Sequence, residues 1–142
     1  MQSDIFCHVS VGTNQLPMAT EFYRTVLATL NIVQVCQYES SVAFGRDKYP
    51  AFWVQHPYDQ QSANCGNGVH IAFKAKTTDE VDSFYRAAIA AGGQCNGKPG
   101  PRPDYGDPYY GCFIIDLDGN KIEASFWDFS MVKQGVDIHS VD

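Results

Sequence analysis

His8-Val9 followed by Phe22-Tyr23-Arg24, and His70-Ile71 followed by Phe84-Tyr85-Arg86, stand in the chain at one offset of 62 residues with no gap between them. Val26-Leu27-Ala28 falls on Ala88-Ile89-Ala90 at the same spacing, so the apolar tail of a helix repeats as well. One offset shared by a strand-like and a helix-like segment marks a duplicated supersecondary unit. The duplication places one histidine at the same point of each half.

Working outward, Ile5, Cys7, Val9 and Val11 alternate with Phe6, His8, Ser10 and Gly12, which predicts a strand over 5–12 with His8 and Ser10 on its second face. A helix follows from about Leu16 to Leu30, where Pro17 suits the first turn and Phe22, Val26 and Leu30 fall on one face. Three short strands are expected at 33–37, 41–45 and 51–55, then a polar linker over 59–68. The second half opens with a strand at 68–74, with His70 and Ala72 opposite Val69, Ile71 and Phe73. Thr77 to Glu80 fits a capping box, and the helix stops at Gly92-Gly93. A Pro/Gly loop over 97–107 leads to a strand at 110–116, the Asp118-Gly119 turn and a return strand at 121–127. Each half reads β-α-β-β-β, giving an α+β chain of one domain over 1–142, with modules at about 5–58 and 68–128.

Length and charge set the limits. A chain of 142 residues can bury a substantial core and is short for two ordinary domains. No apolar run reaches the roughly 18 residues of a membrane span, and the N-terminus has no signal-peptide pattern. A net charge of −6 disfavours nucleic acid and anionic membranes as partners. Five cysteines without a Cys-x-x-Cys pair read as reduced thiols, which points to the cytoplasm.

The chemistry-bearing residues lie on matching faces. Alternation in the last strand sets Glu123 opposite Ile122 and Ala124, as it sets His8 and His70 on the non-helical faces of theirs. A lone strand histidine is more often hydrogen-bonded structure than a ligand. Two repeat-equivalent histidines and a glutamate on one kind of face raise the case for a site. If the modules wrap a common cleft, His8, His70 and Glu123 form a 2-His-1-carboxylate set for a divalent Fe, Mn, Ni, Co or Zn ion with open positions for water or substrate. His56, before Pro57, and His139, in the tail, read as structural or solvated.

The stretches His8-Val9-Ser10-Val11 with Phe22-Tyr23, Gly68 to Phe73, and Phe113 to Glu123 with its Asp-Leu-Asp-Gly-Asn turn resemble the vicinal oxygen chelate superfamily. That superfamily includes glyoxalase I, bleomycin-resistance proteins, fosfomycin-resistance thiol transferases and type I extradiol dioxygenases. The resemblance covers about 6–127. It implies two βαβββ modules forming an open, mixed β-barrel cleft with the helices outside, His8, His70 and Glu123 as metal ligands, and a homodimer. Glyoxalase I has a further ligand glutamate on the last strand of its first module. Here that strand carries Trp53 and Gln55 towards the cleft, so a carboxylate base is missing and lactoylglutathione lyase activity is not expected.

Aromatic walls are expected from Trp53, Trp127, Tyr105, Tyr109 and Tyr110. Tyr105 or Tyr110 would orient substrate or donate a proton, and Arg102 would hold an anionic group. Two function classes remain open: a metal-dependent enzyme (lyase, dioxygenase or thiol transferase) acting on a small oxygenated substrate, and a metal-free sequestering protein of the bleomycin-resistance kind.

Overall fold

The computed structural model describes residues 5–105 and 108–127. The first repeat forms β1 (Val9–Gly12), α1 (Leu16–Ala28), β2 (Val33–Gln37), β3 (Ser41–Gly45) and β4 (Phe52–Gln55). The second forms β5 (His70–Lys74), α2 (Thr78–Ala90), β6 (Gln94–Pro101), a 3-10 turn at Pro103–Tyr105, β7 (Tyr109–Ile115) and β8 (Lys121–Trp127). The helices keep the 62-residue offset at both ends. Each unit builds its own four-stranded mixed sheet, in the orders β1-β4-β3-β2 and β5-β8-β7-β6. Only the first and last strand of each unit pair in parallel. The chain is α+β, as its sequence predicts.

Local chemistry explains the element ends. Pro17 occupies the first turn of α1, where no backbone donor is lost. At α2, Thr77 Oγ1 accepts from Glu80 N at 3.1 Å. Glu80 Oε2 accepts from Lys76 N at 2.7 Å, one residue earlier than a capping box would use. Gly92, at φ +102°, takes the left-handed conformation that ends the helix.

Both helices lay their apolar faces on one continuous core. Phe22, Tyr23, Val26 and Leu27 from α1 and Val81, Phe84 and Ala88 from α2 are buried with Phe44, Phe52, Phe73, Ile114 and Ile122. Each large side chain so buried contributes about 1.5–3 kcal/mol. The Phe52 and Phe73 rings meet edge to face at 4.9 Å and join the repeats across the core. The helices pack on one face of each sheet.

The Asp-Leu-Asp-Gly-Asn turn between β7 and β8 clasps the two repeats. Asp116 Oδ1 accepts from the backbone N of Asp118 and Asn120, while Oδ2 accepts from Tyr23 Oη and Asn120 Nδ2. Asp118 Oδ2 accepts from Thr13 Oγ1 at 2.6 Å and its Oδ1 from Asn14 N at 3.0 Å. Asn120 Nδ2 also donates to Gly12 O. The turn of the second repeat thus holds the end of β1 and the start of α1.

Two segments differ from the sequence expectation. Strand β1 begins at Val9, and Ile5 and Phe6 are exposed. Its partner β4 is preceded by Pro50, which has no N–H to extend the ladder. The expected loop from Gly97 begins as strand: β6 runs from Gln94 through Pro101 as an edge, with register shifts at Gly97 and Gly100 that accommodate its glycines and prolines, and Pro103–Tyr105 forms a 3-10 turn.

Candidate functional site

Register fixes what faces outward from the second sheet. His70 pairs with Lys121, Ala72 with Glu123, and Phe113 with Glu123 across the next ladder. His70, Lys121, Glu123, Phe113 and Tyr109 therefore share the face opposite α2. His70 Nε2 lies 3.3 Å from Glu123 Oε1. Tyr109 Oη donates to Glu123 Oε2 at 3.0 Å, so the carboxylate is held by one oxygen and presents the other to the imidazole. Burial and the Glu123 charge push the Tyr109 phenol well above its usual range. It stays protonated, and remains a donor, throughout neutral pH.

On the first sheet, His8 lies one residue before β1 and is exposed. Its ring meets Trp53 at 6.4 Å, and its Nδ1 lies 3.3 Å from Cys7 Sγ. His8, Trp53 and Gln55 line a cavity of about 370 Å³ with Cys7, Ser41 and Tyr49. Phe52 and Val54 turn into the core, as alternation predicts. Trp53 stacks on Tyr38 at 6.2 Å and donates to Pro50 O. Ser10 pairs with Trp53 as Ala72 pairs with Glu123, and Ser10 and Ala72 are repeat equivalents. Trp53 therefore stands where the second repeat has its glutamate.

His8 does not join the His70–Glu123 pair among the described residues. Among the described residues no three His, Cys, Asp or Glu side chains come together as a metal-binding group. His70 and Glu123 are adjacent; His8 is not with them. His56 is tied to Thr13 O by Nδ1 at 3.2 Å, and His139 lies outside the described residues.

The other sequence candidates divide by strand alternation. Tyr109 and Tyr110 are neighbours on β7 and must point to opposite faces. Tyr110 Oη donates to Asp82 on α2 at 2.7 Å, which takes Tyr110 away from Glu123 and leaves that role to Tyr109. The sequence placed Tyr109 only among the walls; its strand parity with Glu123 was the available signal. Tyr105 packs edge-on against Tyr109 at 5.4 Å and Trp127 does so at 5.3 Å, so both flank the glutamate. Arg102 lies over the Phe113 ring, 5.6 Å from its centroid, and Lys121 lies 4.8 Å from the same centroid. Lys121 and Phe113 were not singled out in the sequence.

Residues 5–124 match the model of the Glyoxalase/Bleomycin resistance protein/Dioxygenase superfamily. The chain belongs to this superfamily. It is similar to a glyoxalase/bleomycin resistance protein from Albidiferax ferrireducens T118, with 34% identity over 87% of this chain and 99% of that one, at a TM-score of 0.79. A lactoylglutathione lyase from Agrobacterium tumefaciens shares the fold at 21% identity and TM-score 0.63, covering 90% of this chain and 98% of that one. A putative glyoxalase from Bacillus halodurans does so at 17% identity and TM-score 0.67, over 88% and 97%. No curated protein matches the chain. Superfamily membership agrees with the paired βαβββ units. No described helix is long and apolar enough to cross a membrane.

Proposed function

We propose that the chain is a divalent-metal-dependent enzyme of this superfamily, acting on a small substrate held through two adjacent oxygens, with His8, His70 and Glu123 as ligands. The observation that carries the reading is the His70–Glu123 pair. Its donor atoms lie 3.3 Å apart. Two ligands with bonds of about 2.0–2.2 Å to one ion span roughly 3 Å, so the pair fits neighbouring coordination positions. Glu123 is buried yet keeps one oxygen open to the imidazole, while Tyr109 fixes the other. Such support of a ligating carboxylate is what a metal centre requires.

The third ligand is missing from this pair, and a second copy of the chain is our source for it. β1 and β5 are each paired on one side only, and each carries or adjoins a repeat-equivalent histidine. A two-fold dimer that sets β1 of one protomer beside β5 of its partner would supply His8 to His70 and Glu123. A bound ion would supply Lewis-acid stabilisation of charge on substrate oxygens. The imidazoles hold position, Tyr109 orients Glu123 through Oε2, and Trp53, Tyr105 and Trp127 restrict water and stack on substrate. Trp53 has no group to take a carbon-bound proton, so the chemistry differs from a glyoxalase-type proton shuttle. The same small-molecule enzyme is proposed to work in the cytoplasm.

Metal analysis of protein purified without chelator or nickel resin tests this. His70→Ala and Glu123→Gln should lose bound Fe, Mn, Co, Ni or Zn, while His56→Ala should retain it. Metal-free wild-type protein that also takes up none of these ions would sink the reading and favour a sequestering protein lined by Trp53 and Tyr38.

A further inference from the structure

Lys121 and Arg102 are left over once the metal pair and its tyrosine have been assigned. Both cationic groups lie within 5.6 Å of one ring centroid, that of Phe113, which itself pairs in register with Glu123. Neither has an ion-pair partner among the described residues, where the ion pairs are Arg24 with Glu21 and His70 with Glu123. Arg102 is nevertheless fixed. Nη2 donates to Lys98 O at 2.6 Å and Nη1 to Pro101 O at 3.1 Å, which holds the guanidinium over the ring. Phe113 pairs in register with Glu123, so the guanidinium over its ring lies beside the Glu123 site. Lys121 sits two residues from Glu123 on the same face, about 7 Å along the strand.

The setting sharpens this. In a chain of net charge −6, strands β5, β7 and β8 carry two lysines, Lys74 and Lys121, and Glu123 as their one carboxylate. All three share the site face. Two cations beside one ring, without carboxylate partners among the described residues and one of them pinned by carbonyls, offer an oxyanion charge-assisted hydrogen bonds at little ordering cost. The Phe113 ring, which both cations approach, adds apolar surface beside those bonds and strengthens them.

We propose that Lys121 and Arg102 form an oxyanion subsite, so that the substrate is a small acid: its carboxylate, phosphate or phosphonate lies on these two residues roughly 7 Å from the oxygen pair facing His70 and Glu123. This rests on the reading of that face as the substrate face. Lys121 contributes a mobile point charge and Arg102 a fixed planar fork. The acid group sets the orientation of the molecule, so that its adjacent oxygens are delivered to the His70–Glu123 end. A neutral diol of the same shape has nothing to hold it in that direction.

Calorimetry with catechol and 3,4-dihydroxybenzoate tests the subsite, because the two share a vicinal oxygen pair and differ by one carboxylate. With manganese-loaded full-length protein the acid should bind about 10- to 100-fold more tightly. Lys121→Met/Arg102→Met should abolish that preference and leave catechol unchanged. Lys48→Met, which removes one charge from the turn between β3 and β4, should preserve it. An acid that binds no more tightly than catechol, or whose advantage survives the double substitution, overturns the proposal. Metal content measured on the same samples keeps the two readings apart. Bound metal without an acid preference removes the subsite alone, whereas a Lys121- and Arg102-dependent preference in metal-free protein retains the subsite and removes the metal reading.

Discussion

Trp53 is the residue whose identity limits the proposed chemistry. It holds the first-repeat position equivalent to Glu123, and an indole cannot serve as a carboxylate base. Losing a positioned general base typically costs about 10²–10⁴ in rate. Metal-loaded protein should therefore turn over the methylglyoxal–glutathione hemithioacetal little or not at all, and Trp53→Glu should raise that rate. Robust wild-type isomerase turnover, followed by the loss of methylglyoxal hemithioacetal, would mean that another group takes the proton. Tyr109 makes a second residue-level statement. Removing its hydroxyl in Tyr109→Phe frees Glu123 Oε2, and metal affinity should fall about 10- to 100-fold in competition with a chelator. Tyr110→Phe, which touches Asp82 instead, should leave metal affinity unchanged.

At the scale of elements, the β7–β8 turn is the hinge of the account, because it ties the second repeat to β1 and α1. Thr13→Val removes the donor to Asp118 Oδ2, and Tyr23→Phe removes one of the two donors to buried Asp116 Oδ2. Each should cost about 1–3 kcal/mol of stability, read from the midpoint of urea unfolding at unchanged slope. The sequence made the helices legible, since a 62-residue offset carries both, and it made the hairpin legible through Asp118-Gly119. β6 was hidden because glycine and proline also spell a loop; only its place at a sheet edge, with bulges, lets Gln94–Pro101 remain a strand. The side of β4 was legible from Phe52 and Val54. The choice between Tyr109 and Tyr110 was not, because it depends on the register of β7 against β8, which the aromatic run does not encode. Arg102 was legible as an anion-holding residue, but Lys121 escaped for a similar reason: the two are far apart in sequence and are related only through the Phe113 ring.

The whole molecule should lose stability in alkali. Burial pushes the Cys112 thiol from 9.0 up to about 12, so the unfolded chain releases a proton above pH 9 that the folded chain keeps. Fewer protons on the unfolded state mean that stability falls as pH rises from about 9 to about 12. Tyr23 and Tyr109, both raised above 10.0 chiefly by burial, deepen the fall above pH 10. Urea midpoints measured across this range should decline, and less steeply in Cys112→Ala between pH 9 and 10. Assembly is the other property at this scale, and the proposed dimer would join His8 to the His70–Glu123 pair. A homodimer is expected by light scattering at tens of micromolar. The direct measurement mixes His8→Ala and Glu123→Ala subunits, each unable to bind metal alone, and determines bound manganese in the heterodimer. If His8 of one protomer completes the His70–Glu123 pair of the other, one of the two sites is rebuilt and about one ion is recovered per heterodimer. Recovery of no metal, with wild-type protein binding one ion per chain under the same conditions, would contradict a shared site.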